Sequence, residues 1–178
     1  MNETEKILHK HFNDSAYVIL EFLWNNNLKY FDACEIGYYE KVTELIQSDL
    51  PHFSFDIGLE HACLGGHMLI INLMIKHGAK YWEWGLFGAC LGGHMGIVKL
   101  MIKYGAKNWE WGLFKACNGG HTDVAEFMIK CGGDWDEWKE TQYDKNNENH
   151  VKVVNQITCQ LTGKSVTIGS RVFQRNVI

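Results

Sequence analysis

Proline is nearly absent from this chain, with Pro51 alone among 178 residues. An excess of basic residues is absent too, because 17 Lys and Arg face 21 Asp and Glu and the net charge is -4. No apolar run reaches the roughly 18 residues of a membrane-spanning helix, and the polar, charged first ten residues are unlike a signal peptide. We therefore expect no nucleic-acid binding, no membrane insertion and no secretion, and we predict a cytoplasmic protein.

Tryptophan, by contrast, is abundant, and six of the seven tryptophans lie between Trp82 and Trp138. The reason is a repeat. Residues 82–108 are WEWGLFGACLGGHMGIVKLMIKYGAKN, and residue 109 starts the pattern again as WEWGLFKACNGGHTDVAEFMIKCGGDW. An Ala-Cys pair recurs at residues 62, 89 and 116, with a weaker copy at residue 33. A fixed period of this length indicates a stacked array of units that cannot fold alone.

Each copy predicts two short helices. In the copy at 84–107, residues 86–90 place apolar side chains on one face of a first helix. Gly92-Gly93 ends that helix, since glycine adopts the left-handed conformation at little cost. Residues 97–102 form the wide apolar face of a second helix, and Gly105 ends this helix in the same way. The apolar faces must pack against those of neighbouring copies.

The second half of each copy resembles the ankyrin repeat, whose pattern A-A-x-x-G-H-x-x-V-V-x-x-L-L-x-x-G-A is similar to ACLGGHMGIVKLMIKYGA at 89–106. Residues 62–79 and 116–133 match it equally well. Two features differ from the family. The T-P-L-H corner is replaced by sequences such as Trp84-Gly85-Leu86-Phe87. The period is also about six residues shorter than in the family, and the missing residues are those that form the β-hairpin finger between repeats. Short, Trp-rich repeats of this kind are similar to ankyrin proteins encoded by large DNA viruses.

The resemblance implies an all-α fold, an ankyrin-like α-solenoid of helix-turn-helix repeats. To this the residues after the repeats add a short β-hairpin-like C-terminal tail. Residues 1–27 are expected to form a helical N-terminal cap, a degenerate repeat with polar residues that keep the array soluble. Residues 28–140 hold the repeats, at about 28–55, 56–82, 83–109 and 110–138. Residues 141–178 are predicted to be a linker followed by the tail.

The tail is predicted from a change in pattern. Residues 141–150 (TQYDKNNENH) are polar and typical of a linker. Apolar residues then roughly alternate over 151–161, Thr162-Gly163 offers a turn, and Val166 and Ile168 alternate again, which favours two strands. A lone hairpin is marginal in water. It would dock on the last repeat, pair with the sheet edge of a partner, or remain disordered; we favour docking.

A Cys-x3-His pattern occurs three times, at Cys63 and His67, Cys90 and His94, and Cys117 and His121. Zinc needs four ligands that converge on one point. Stacked repeats hold equivalent atoms about 10 Å apart, too far to share a metal. We therefore interpret each Cys as a small buried thiol and each His as a residue that bonds the turn between helices, and we expect no metal, no cofactor and no catalysis. The six cysteines are expected to be free thiols of a reducing compartment.

The tryptophans lie in the shortened connectors between repeats. In an extended connector, side chains at i and i+2 share a side. Trp84, Trp111 and Trp138 hold the corner position and are predicted to form a ladder that packs neighbouring repeats. Trp82 and Trp109 lie nearer the loop apex, where they would be either exposed binding anchors or part of one continuous aromatic seam. The sequence leaves both interpretations open.

The resemblance implies a non-catalytic protein-protein interaction module. We expect a monomer that binds a partner protein, and if the chain is viral, the partner would be a host protein. Acidic residues among the aromatics favour a partner with a basic patch. Two other classes remain: a structural protein that self-assembles through its tail or solenoid ends, and a Cys/His metal-binding protein. The predicted protein-binding residues, transferred from the family or placed in the connectors, are Glu35, Ile36, Leu64, Tyr81, Trp82, Glu83, Leu91, Asn108, Trp109, Glu110, Asn118, Trp135 and Asp136.

Overall fold

The computed structural model describes residues 30–47, 54–162, 166–168 and 171–173, with side chains as far as residue 160. The predicted N-terminal cap at 1–27 lies outside the described residues. Within the described ranges the chain is helical apart from two three-residue strands, so the prediction of an all-α fold is confirmed for this part.

The described helices follow one another in pairs. They are α1 Tyr30–Ile36, α2 Tyr39–Gln47, α3 Phe55–Gly65, α4 Met68–Lys76, α5 Trp82–Gly92, α6 Met95–Tyr104, α7 Trp109–Gly119, α8 Thr122–Cys131, α9 Trp135–Thr141 and α10 Glu148–Thr162. The strands are β1 Val166–Ile168 and β2 Arg171–Phe173.

Glycines end the helices where the sequence predicts. Gly93 follows α5 with φ +75°, and Gly105 follows α6 with φ +114°. Both values lie in the left-handed region, which glycine adopts without a steric penalty. The first helices α7 and α9 start with a side-chain cap: the Asn108 carboxamide oxygen accepts a hydrogen bond from the Trp111 N–H (3.1 Å), and an Asp134 carboxylate oxygen accepts one from the Glu137 N–H (2.9 Å). These caps satisfy N–H groups that have no partner inside the helix.

The first helices of the pairs contact one another in chain order, from α1 through α3 and α5 to α7, and α9 contacts α7. Second helices also contact one another, α2 with α4 and α6 with α8. The Ala-Cys pairs lie at the centre of this packing, and their eight side chains are fully buried: Ala33, Cys34, Ala62, Cys63, Ala89, Cys90, Ala116 and Cys117. Small residues let neighbouring first helices approach closely, so the core is continuous from one pair to the next.

The predicted extended connectors are shorter than expected. Helix α5 begins at Trp82 and α7 at Trp109, so both tryptophans belong to the first helical turn. Trp135 likewise opens α9. The prediction that side chains at i and i+2 share a side is therefore wrong here, because residues two apart on a helix point about 200° apart.

The predicted first strand of the tail is also wrong, because residues 148–162 form the helix α10. His150, Val153 and Ile157 are buried and recur at the spacing of one helical face. Of the residues that suggested alternation, Cys159 is also buried and Val151 is partly buried. Helix α10 contacts α7 and α8, so it covers the last complete repeat.

The strand pair lies further along the chain than predicted. Val166–Ile168 is the first strand, and it pairs antiparallel with Arg171–Phe173, with Thr167 opposite Val172. Helix α10 contacts both strands.

Candidate functional site

The Gly-Gly-His segment of each repeat links one helix pair to the next. Nε2 of His94 lies 3.0 Å from the carbonyl oxygen of Leu64, at the end of the preceding first helix. A carbonyl only accepts, so this nitrogen carries the proton and donates. Gly92 leaves room for the same carbonyl, since a Cβ there would overlap the Leu64 oxygen. Gly93 then turns the chain. The histidine was predicted to bond the turn between helices; it bonds the carbonyl of the preceding repeat.

The same contact recurs along the array. Nε2 of His67 lies 2.9 Å from the carbonyl oxygen of Glu35. After the last complete repeat, Asn149 of α10 donates from Nδ2 to the carbonyl oxygen of Asn118 at 2.6 Å, and its side chain packs beside Gly120. The ring of His121 packs beside Gly93 in the corresponding place. Asn149 therefore replaces the histidine that a further repeat would supply.

The cysteines of the repeats are poor nucleophiles. Burial raises the pKa of Cys34 and of Cys90 to about 12, and it raises the pKa of Cys63 and Cys117 further. A thiol with a raised pKa is protonated at neutral pH and reacts slowly. Each of the six cysteines is a free thiol, and Cys131 is the one that is partly exposed.

The Cys-x3-His pattern does not bring potential ligands together. In the described ranges there is no group of three or more His, Cys, Asp or Glu side chains that could hold a metal ion. The thiols face the core, whereas the rings of His67 and His94 contact backbone carbonyls. No helix among these residues is both long and apolar enough to cross a membrane.

The tryptophans differ from the predicted ladder of Trp84, Trp111 and Trp138, of which Trp138 alone is buried. Trp82 is partly buried, packs against the core and stacks on Tyr104, with ring centroids 4.7 Å apart. Trp109 also packs against the core, beside Gly132. Trp84 and Trp111, predicted to pack between repeats, are exposed, at 38% and 53%. Because α5 already begins at Trp82, residues 82 and 84 lie on opposite sides of a helix, so that Trp82 faces the core and Trp84 faces solvent.

Trp84 and Trp111 belong to a row of aromatic side chains on α7, on α5 and at the residue that precedes α5. We call this row the aromatic stripe: Tyr81, Trp84, Phe87, Trp111 and Phe114. Ring centroids are 5.7 Å apart between Tyr81 and Trp84, 6.3 Å between Phe87 and Trp111, and 5.3 Å between Trp111 and Phe114. Tyr81 is 54% exposed, and both Phe rings are partly buried. Of these five residues the sequence predicted Tyr81 alone as a binding residue. The spacing of three residues on a helix connects Tyr81 with Trp84 and Phe87, and Trp111 with Phe114.

The predicted residues on the first helices lie at the ends of those helices. Ile36 is exposed, whereas Glu35 is half-buried and pairs with His61, whose Nδ1 lies 2.9 Å from a carboxylate oxygen. Leu64 and Leu91 are partly buried. Asn118 is covered by α10, because its side-chain oxygen contacts Nε2 of His150.

The predicted connector residues divide into two groups. Glu110 and Asp136 are exposed and Glu83 is half-exposed, so their carboxylates face solvent. The side-chain oxygen of Asn108 already accepts a hydrogen bond as the N-cap of α7. Trp135 is buried and stacks on Trp138 at 5.2 Å. The acidic side chains therefore remain candidates for binding, while Trp135 belongs to the core.

No family model matches the chain, and no curated protein is significantly similar to it.

Proposed function

We propose that the chain is a non-catalytic, ankyrin-like solenoid that binds a partner protein through the aromatic stripe. The solenoid is supported by the repeated contact between helix pairs, in which His67 and His94 each bond the carbonyl of the preceding first helix. Fixed contacts of this kind make a rigid frame, so that binding loses little conformational entropy.

The observation that carries the proposal is the exposure of large aromatic side chains on neighbouring first helices. Tyr81 and Trp111 are each more than half exposed, and Trp84 is 38% exposed. An exposed apolar patch costs free energy in water and commonly marks a binding surface. Trp and Tyr are also the residues that contribute most to protein interfaces.

The charges beside the aromatic stripe indicate the chemistry of the partner. Glu83 and Glu110 lie in the first turns of α5 and α7, next to Trp84 and Trp111. Carboxylates around an apolar patch attract a surface that carries Lys or Arg and repel an acidic one. The partner that we propose is therefore a protein with a basic patch, and the buried free thiols suit a cytoplasmic location.

Affinity purification from cells of the source, followed by mass spectrometry, tests the proposal. The variant Trp84→Ala/Trp111→Ala should lose the partner that the unmodified chain retains. The matched control is Met68→Ala/Leu69→Ala, which removes two exposed apolar side chains, 41% and 71% exposed, from α4. Circular dichroism should show both variants folded.

Three outcomes would contradict the proposal. If the stripe variant keeps the partner, or if the α4 control loses it equally, the aromatic stripe is not the binding surface. If light scattering shows a dimer that the stripe variant dissociates, the stripe mediates self-association instead.

A further inference from the structure

A groove of about 230 Å³ lies where the aromatic stripe meets the last short helix, between α7 and α9. Trp111 and Phe114 of α7 form one wall, and Trp138 of α9 contributes to the other. Trp138 is fixed in place, since it is 4% exposed and stacks on Trp135. A space of this volume is smaller than a typical small-molecule pocket of about 300–1,000 Å³ and suits a single long side chain.

The groove is acidic as well as aromatic. Glu110, Asp134 and Glu137 line it, and all three are exposed. None of the ion pairs in the described part of the chain involves these carboxylates. Lys139, the cation of α9, pairs instead with Asp136 at 3.2 Å and lies over the ring of Trp135. Glu110 and Glu137 therefore lie beside the aromatic surface without a cation partner in the described residues, and Asp134, the cap of α9, adds a third negative charge.

We infer that this groove receives an arginine side chain of the partner protein, an inference that rests on the proposed function. A guanidinium group is planar, stacks on aromatic rings and donates hydrogen bonds in several directions at once. It would stack on the half-exposed ring of Trp111 while it donates to Glu110 and Glu137. An ammonium group is a compact, strongly hydrated charge, and it gains less from a flat ring bordered by several carboxylates.

The inference is tested on the full chain with the peptide acetyl-Gly-Arg-Gly-amide, followed by ¹H–¹⁵N nuclear magnetic resonance. The indole signal of Trp111 should shift and saturate, while that of Trp82, which lies outside the groove, should not. The citrulline peptide has the same shape without the charge, and the lysine peptide has the charge without the planar group. Both should bind more weakly than the arginine peptide.

Two charge-removing variants make the test specific. Glu110→Gln/Glu137→Gln should weaken binding of the arginine peptide about tenfold, since two charge-assisted hydrogen bonds are lost. Asp123→Asn/Glu140→Gln removes the same charge from exposed positions that do not line the groove, and it should leave the affinity within about twofold.

The inference is overturned if the arginine peptide produces no saturable shift, or if the citrulline or lysine peptide binds equally well. It is also overturned if Glu110→Gln/Glu137→Gln retains the arginine peptide with unchanged affinity. The proposed function has a separate readout, because loss of the partner in Trp84→Ala/Trp111→Ala would stand even if the arginine peptide does not bind.

Discussion

Nε2 of His94 donates a hydrogen bond to the carbonyl oxygen of Leu64, and so the third described helix pair is joined directly to the second. The bond is possible because Gly92 has no side chain, since a Cβ at this position would overlap the same oxygen. The two glycines before His94 therefore have different structural roles. Gly92 permits the close approach of two helices, and Gly93 supplies the left-handed turn at φ +75°.

Replacing Gly92 by alanine should therefore destabilise the protein, by about 2–4 kcal/mol, because the overlap is with backbone atoms that cannot move aside. The matched control is Gly96→Ala in α6, where a Cβ would meet nothing within 4 Å. There the higher helix propensity of alanine should leave stability unchanged or raise it by up to about 1 kcal/mol. Urea unfolding of the two variants measures the difference, and equal stabilities would contradict the role given to Gly92.

The tryptophan positions give a second prediction. Trp82→Ala/Trp109→Ala should lower the free energy of unfolding by several kcal/mol, about 2 for each partly buried ring. Trp84→Ala/Trp111→Ala should cost less than about 1 kcal/mol per residue, because those rings are exposed. Thermal unfolding followed by circular dichroism compares the two double variants. A larger loss in the second variant would show that the aromatic stripe is structural.

The sequence predicted the helix pairs well because the repeat shows the same signals several times. Apolar spacing, Gly93 and Gly105 define where α5 and α6 end, and the structure confirms these stops. Where the helices begin was harder to predict. The Asn108 side-chain oxygen caps α7 by accepting from the Trp111 N–H, whereas α5 starts at the equivalent Trp82 with no side-chain cap from Tyr81. The repeat therefore carries no constant cap residue that marks where these helices begin.

The candidate site was mostly missed for the same reason. An error of one turn in the start of α5 moves Trp84 from the buried to the exposed side. The groove between α7 and α9 depends on Trp138, which stands where earlier repeats have Gly85 and Gly112. The tail was misjudged because the apolar residues of 151–161 roughly alternate, and because His150, which shares a helical face with Val153 and Ile157, was assigned to the polar linker. Contact with α7 and α8 decides in favour of the helix, and tertiary contacts of this kind are not visible in a local pattern.

The buried thiols predict a response to alkaline pH. Burial raises the pKa of Cys90 to about 12, whereas the thiol of an unfolded chain ionises near pH 8.5. The folded state therefore holds a proton that the unfolded state releases, so stability is intact below about pH 8.5 and falls as the pH rises above it. The slope between pH 9 and pH 10 should be shallower in Cys90→Ala than in the unmodified chain, by up to about 1.4 kcal/mol per pH unit. Equal slopes would contradict the burial of an ionisable thiol.

Thiol labelling at pH 7.5 provides an independent check. Iodoacetamide should modify Cys131 first, because its side chain is partly exposed. The thiols of Cys34, Cys63, Cys90 and Cys117 should react at the rate of unfolding. In denaturant all six cysteines should react at similar rates, which serves as the control.

His150 predicts a response to acid in the docking of α10. Its Nδ1 accepts a hydrogen bond from the Asp144 N–H at 3.1 Å, and its Nε2 contacts the side-chain oxygen of Asn118 on α7. The neutral ring with its proton on Nε2 satisfies both contacts. A second proton would bind Nδ1, which could then no longer accept the hydrogen bond from the Asp144 N–H. Burial accordingly lowers the pKa of His150, although the nearby Asp144 carboxylate opposes that shift.

Because the folded pKa lies below the value of about 6.5 in an unfolded chain, the unfolded state takes up a proton first as the pH falls. The stability that His150 contributes is therefore present above about pH 6.5 and is lost progressively below it. Unfolding between pH 7.5 and pH 5 should show this loss in the unmodified chain and less of it in His150→Gln. Hydrogen exchange should show that amide protection is lost in α10 rather than in α5 and α6. His94, between α5 and α6, donates to a carbonyl, and this contact does not require the ring to accept a hydrogen bond. Acid-induced opening confined to α5 and α6 would show that the sensitive contact lies elsewhere.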